Sequence, residues 1–277
     1  MVKIHKIDSL DLPELAPYRT MRQQLEHRRQ QIFIAEGEKV VRRLLESRFA
    51  VVSVLLPEKW LRVLEPVLKA RREEIQVYVA EKEALEKLTG FSMYQGLLAM
   101  GRIPELATLE GVLKSSARPF LFVAVDALAN AENLGVLVRN CAAFGVQVLL
   151  VGETSSSPFL RRAVRSSMGT IFQLPVVELS NLAETLQELR RQNIRCIAAH
   201  PHADRKTLSQ ADLSRDCCIV LGSEGCGISP AVLAACDEAV AIPMSSGVDS
   251  LNVGSAGAVF LYEASRQREK SITSPQI

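Results

Sequence analysis

The chain has 277 residues, is 48% hydrophobic and carries a formal net charge of +2 at pH 7. That length and apolar content allow two domains and a sizeable core. No run of 18 apolar residues is present, which excludes a transmembrane helix, and the opening MVKIHKIDSLDLPE lacks the apolar centre of a signal peptide, so a cytoplasmic location is expected.

A helical segment is predicted near 12–30, followed by the apolar Ile32-Phe-Ile and by Glu36-Gly37-Glu38, which opens a helical pattern through Ser47. Residues 50–56 read as a strand, 58–70 as a helix, 75–79 as an alternating strand and 81–88 as a helix, with 95–101 closing the set. Strands and helices thus alternate within one small α/β unit. Residues 1–104 carry 18 Lys and Arg against 14 Asp and Glu, whereas the rest carries 15 against 17. Arg19, Arg22, Arg28 and Arg29 lie close together in the basic part, which suits an anion such as RNA. A solvated helix face would carry the same charges. No aromatic ladder is present for stacking bases, so shape and phosphate contacts would supply any RNA affinity, and salt would weaken it. Residues 105–118 read as a linker with room for a short helix.

Residues 120–126 form a strongly apolar strand, and 127–132 turn into a helix at 134–144 for which Asn133 is the expected cap. Gly135 and Arg139 are four apart on one face of that helix. Helical side chains lean toward the N-terminus, so Arg139 is expected over Gly135, near a helix start that favours anions. A strand at 147–151 precedes 155–169, where Arg161, Arg162 and Arg165 share a helical pattern and are further candidate RNA contacts. Residues 170–177 read as extended, 181–192 as an amphipathic helix and 194–199 as a strand ending at His200. A polar loop runs to Asp216. The strand at 217–221 ends in Gly222-Ser-Glu-Gly-Cys-Gly, and Ser229-Pro230 opens a helix. The Gly222-x-x-Gly225-x-Gly227 order differs from a dinucleotide fingerprint, which argues against a nicotinamide enzyme.

The stretch AVAIPMSSGVDSLNVGSAGAVFLYE at 239–263 joins a strand end, a polar loop and a helix capped by Asn252. Its opening residues 254–258 are all small, which implies a close approach by another element. Loops from 200, 222 and 243 therefore stand at strand ends and could line one ligand site. The six cysteines, at 141, 196, 217, 218, 226 and 236, form no Cys-x-x-Cys pair and read as reduced thiols. His200 and His202 have no accompanying ligand cluster, so no metal is expected.

Three motifs together resemble the SpoU branch of the SPOUT methyltransferases: Asn133-Leu-Gly-x3-Arg139, Leu221-Gly-Ser-Glu-Gly-Cys-Gly, and Ile242-Pro-Met-x4-Asp-Ser-Leu-Asn-Val. Arg165-Ser-Ser-Met-Gly-Thr-Ile-Phe-Gln-Leu-Pro also looks like that family, and the N-terminal unit is similar to its substrate-binding domain. The resemblance implies an RNA-binding α/β domain at 1–104, a linker at 105–118, a parallel-sheet methyltransferase domain with a deep trefoil knot at 119–265, and a tail at 266–277. It implies S-adenosylmethionine-dependent 2′-O-ribose methylation of RNA, ribosomal RNA ahead of tRNA, by a homodimer. A non-catalytic RNA-binding protein of the same fold is the alternative. By the same resemblance the cofactor lies against Ala199, Gly222, Ile242, Met244 and Leu251. Arg139, Glu224, Ser250 and Asn252 match the catalytic set, and Asn133 the first motif. The family often has Asp-Pro where this chain has Asn130-Ala131.

Overall fold

Runs of β-branched and other apolar residues alternating with amphipathic stretches build two units, Met1–Glu105 with Pro158–Gln173, and Leu106–Ser157 with Leu174–Ile277. The structure is a computed structural model, and it describes all residues except 8, 10, 22, 91–95, 202–205 and 274–277.

In the first unit the strands are β1 (Val2–Lys6), β2 (Ile32–Glu36), β3 (Val51–Leu56), β4 (Ile75–Val79) and β5 (Leu98–Arg102), in the order β1-β4-β3-β5-β2. The first three of that order are parallel, and β5 runs antiparallel to both neighbours. Leu15, Tyr18, Ile34, Leu55 and Leu98 fill one face of the sheet. The Tyr18 hydroxyl is buried without loss because it lies 2.8 Å from the Ser53 hydroxyl.

The helix predicted near 12–30 is interrupted. A 3₁₀ turn at Pro13–Leu15 leads into Ala16–Arg19, and a second helix follows at Gln24–Arg29. Thr20 ends the first piece, its hydroxyl donating to the Ala16 carbonyl at 3.0 Å and competing with the backbone ladder.

Pro158–Gln173 belongs to this unit because of what its side chains bury. Phe159 and Phe172 pack against Phe33 and Phe49 with ring centroids 5.3–6.1 Å apart. Arg43 donates to the Met168 carbonyl at 2.7 Å. The extended stretch expected at 170–177 is instead a 3₁₀ turn, Thr170–Phe172, followed by a short strand.

The second unit holds β6 (Leu121–Val125), β7 (Val148–Val151), β8 (Val176–Glu178), β9 (Arg195–Ala199), β10 (Cys217–Leu221) and β11 (Glu238–Val240). All are parallel, in the order β11-β9-β10-β6-β7-β8. Their near-continuous apolar sequences match a parallel sheet covered on both faces. The order reverses between β6 and β10, so loops leaving the carboxyl ends there diverge and open a crevice. Burial pushes the Cys217 thiol up to about 11 and the Cys236 thiol up to about 12, so both stay protonated and unreactive near neutrality.

The linker contains the short helix it had room for, and the expected tail is helical. Within 105–118, Leu109–Ser115 is helical, with the Thr108 hydroxyl accepting from Gly111 N–H at 3.1 Å and Val112 buried. The span expected as a tail from 266 continues the last helix, Val253–Thr273. Arg268 fixes it, donating to the carbonyls of Leu213, Pro119, Phe120 and Arg215 at 2.8–3.0 Å. An arginine has five donors in a planar fork, which suits four converging carbonyls.

Candidate active site

The carboxyl ends of β9, β10 and β11 supply one wall of a cavity of about 310 Å³, and the loop at 242–251 and the start of the last helix supply the other. Leu221, Val240, Val253, Ala256 and Phe260 give it an apolar lining, and Ser223, Glu224, Asp249 and Ser250 give it polar groups. Ala199, Gly222, Ile242, Met244 and Leu251, singled out in the sequence as cofactor contacts, all line it.

The 222–227 loop is built on backbone pairing. Ser223 and Gly227 exchange N–H to carbonyl bonds at 3.0 Å in both directions. That fold leaves no room at Gly222: an added Cβ would come within 2.2 Å of the Gly227 backbone. Gly227 itself sits at φ +68, a conformation open to glycine. The loop's far end is held from β6, because the Asp126 carboxylate accepts the Ser229 N–H at 2.7 Å. Asp126 was not singled out in the sequence. Its only signal there is an acidic residue closing a wholly apolar strand.

Asn252 caps the last helix as expected, its side-chain oxygen accepting from Gly254 N–H at 2.9 Å. The small residues that follow allow close packing on the helix Ala131–Ala143. A Cβ at Gly254 would lie 2.7 Å from Val136, and one at Gly257 2.5 Å from Leu137. The approaching groups are side chains of that helix, and Asn140 adds a 2.8 Å bond to the Gly254 carbonyl.

At the start of Ala131–Ala143 the cap is Asn130, where the sequence reading expected Asn133. The Asn130 side-chain oxygen accepts from Glu132 N–H at 2.9 Å and Asn133 N–H at 3.2 Å. This frees the Asn133 side chain for a different task. Its amide nitrogen donates to the Glu224 carboxylate, and its amide oxygen accepts from the Asn252 amide at 3.1 Å. Asn133, Glu224 and Asn252, from three separate stretches of sequence, thus form one hydrogen-bonded chain. Of these three Glu224 lines the cavity, and Ser250 and Leu251 line it from the 242–251 loop.

Arg139 stands apart. It is exposed, does not line the cavity, and makes no hydrogen bond or ion pair among the described residues. The reason is helical geometry. Six residues past Asn133 place it about 9 Å along the axis and about 240° around it. A single copy of the chain does not bring Arg139 to the cavity.

The candidate RNA contacts also separate. Arg19, Arg28 and Arg29 are exposed, and Arg22 lies outside the described residues. Arg162 and Arg165 are exposed on Arg161–Ser166. Arg165 pairs with Glu36 at 3.2 Å from that exposed position, whereas Arg161 is nearly buried. It forms an ion pair with Glu36, with side-chain exposures of 13% and 11%. His200 lines the cavity, and His202 lies outside the described residues.

Residues 120–262 match the model of the SpoU rRNA Methylase family. The chain is 33% identical to an uncharacterised tRNA/rRNA methyltransferase of Mycobacterium tuberculosis, over 85% of this chain and 81% of that protein. It is 32% identical to the 23S rRNA (guanosine-2′-O-)-methyltransferase of Pectobacterium atrosepticum, over 85% of this chain and 98% of that protein. Among solved structures, the SpoU methyltransferase AviRb from Streptomyces viridochromogenes, in complex with the cofactor AdoMet, superposes with a TM-score of 0.79 at 25% identity, covering 94% of this chain and all of that one.

Proposed function

This chain belongs to the SpoU rRNA methylase family, and from that premise we propose that it transfers the methyl group of S-adenosylmethionine to a ribose 2′-hydroxyl of ribosomal RNA. The observation that carries the reading is the gathering of Ala199, Gly222, Ile242, Met244 and Leu251 around one cavity, with the Asn133–Glu224–Asn252 chain beside it.

The cavity fits the cofactor. Its volume of about 310 Å³ lies within the range of small-molecule sites. Its apolar lining suits an adenine ring, and its polar groups suit an amino acid and a ribose. When bound, S-adenosylmethionine supplies a methyl group on a cationic sulfur, already activated for displacement. Gly222, Ile242 and Leu251 hold and orient it, and orientation of two reactants alone is worth about 7–11 kcal/mol. Asn133 fixes Glu224 and Asn252 relative to each other.

Arg139 acts on the substrate phosphate and stabilises the alkoxide that develops at the ribose oxygen. It is not the base, since a guanidinium carries five N–H donors and no acceptor. It reaches the cavity of a second copy in a homodimer. Val136, Val259 and Tyr262, on the helices Ala131–Ala143 and Val253–Thr273, are 39%, 39% and 60% exposed, and a dimer across these helices would cover them. The close packing at Gly222, Gly254 and Gly257 supports the trefoil knot as part of this reading. Residues 1–104 serve as the RNA-binding domain and 119–265 as the methyltransferase domain, except that Pro158–Gln173 belongs to the first unit. Arg19, Arg22, Arg28 and Arg29, with Arg162 and Arg165, give phosphate contacts. No helix among the described residues is long and apolar enough to cross a membrane, and the protein works in the cytoplasm.

The test is to incubate the chain with isotope-labelled S-adenosylmethionine and ribosomal RNA, digest the RNA, and look for labelled 2′-O-methyl nucleosides. Label in tRNA alone would move the substrate. Absence of saturable cofactor binding would reduce the protein to an RNA binder.

A further inference from the structure

Asn133 can hold Glu224 and Asn252 together only if the turn that delivers it keeps one shape. That turn has no proline, and Ala127 within it sits at φ +52, a left-handed conformation that costs a non-glycine residue energy. Such strain persists only where the surroundings over-determine it.

The surroundings are two serines from the loop after β7. The Ser155 hydroxyl accepts from Leu128 N–H at 3.2 Å and donates to the Val125 carbonyl at 3.2 Å. The Ser156 N–H donates to the Leu128 carbonyl at 2.9 Å, and its hydroxyl donates to the Ala129 carbonyl. The serine loop is itself fixed at both sides. Gly152 N–H donates to the Val125 carbonyl at 3.0 Å, and a Cβ at 152 would lie only 2.8 Å from that oxygen. The Glu153 carboxylate accepts the Leu182 N–H at 3.0 Å.

We propose that Ser155 and Ser156 are positioning residues for methyl transfer. They clamp the turn between β6 and the helix Ala131–Ala143, so that Asn130 caps the helix and Asn133 stays in register with Glu224 and Asn252. The inference rests on the function proposed above. Neither serine lines the cavity, so the clamp acts on transfer and leaves cofactor binding alone.

A proline at 131 offers independent restraint of the same turn. Ala131 is the first helical residue, where proline is favoured, and its N–H meets no acceptor among the described residues. Asn130 already has the extended conformation, φ −77 and ψ 108, that precedes proline.

In a Ser155→Ala, Ser156→Ala double variant, kcat should fall about tenfold. The Kd for S-adenosylmethionine should stay within about twofold of the parent, and amide exchange over 127–133 should accelerate. Adding Ala131→Pro should slow exchange and restore kcat, and Ser156→Thr alone, which keeps the hydroxyl, should match the parent in both. Unchanged exchange in the double variant, or faster exchange at undiminished kcat, overturns the clamp. A parent chain that transfers no methyl overturns the function instead, while amide exchange still decides whether the serines hold the turn.

Discussion

The two units share an alternation of strand and helix but place their polar side chains in opposite ways. In the second unit the polar chemistry is drawn to the carboxyl ends of parallel strands, where Gly222 cannot gain a methyl group and Asn133 is bonded at both ends of its amide. In the first, Arg19, Arg28 and Arg29 stand exposed on short helices. A cavity for one small molecule is over-determined, so a single atom out of place is felt. A surface for a polyanion is a sum of weak, screened contacts, and losing one of them is tolerated.

The largest effect should come from the tightest point. Gly222→Ala puts a Cβ into backbone that cannot rotate away. Cofactor affinity should fall at least about a hundredfold, equivalent to about 2.7 kcal/mol, as measured by calorimetry, and transfer should disappear with it. Near-parental affinity would mean the 222–227 turn is not part of the binding site. Arg139→Ala should separate the two activities: binding retained, transfer reduced about a hundredfold, the scale for one lost electrostatic donor. A mixed dimer of Arg139→Ala and Gly222→Ala chains should recover one working site if the arginine serves the other copy's cavity, and none if it serves its own.

The arginines of the first unit sharpen the contrast. Arg161→Ala with Arg165→Ala removes both cations paired with the nearly buried Glu36 carboxylate and should lower stability by roughly 3 kcal/mol in denaturant titrations. Arg28→Ala with Arg29→Ala should leave stability unchanged, weaken RNA binding several-fold, and reduce the salt dependence of log K by about 2. The smallest effect is chemical. Cys226 is exposed on the cavity wall, whereas Cys217 and Cys236 are held protonated by burial. An alkylating reagent should modify Cys226 first, and saturating S-adenosylmethionine should slow that reaction.

Most strands of the parallel sheet were readable because they are short apolar runs closed by glycine, proline or a polar loop, whereas β8 merges in sequence with the 3₁₀ turn before it. The cavity wall was readable because its residues sit immediately after those strands. Asn133 was misread as a cap because an asparagine at a helix start has two possible jobs, and only the position of Asn130 three residues earlier decides which. Arg161, Arg162 and Arg165 look equivalent in sequence. Arg161 and Arg165 both pair with Glu36, Arg161 from a nearly buried position and Arg165 from an exposed one, and a local pattern does not contain Glu36, 125 residues from Arg161. The same holds for Phe159 and Phe172, whose partners Phe33 and Phe49 assign Pro158–Gln173 to the first unit.

One measurement addresses the central claim most directly: equilibrium binding of S-adenosylmethionine to the parent chain and to Gly222→Ala, with transfer of its labelled methyl group to ribosomal RNA followed in the same preparations. The account predicts saturable binding and 2′-O-methyl label for the parent, and loss of both in the variant. Parent protein that captures RNA yet neither binds the cofactor nor labels a ribose would contradict it.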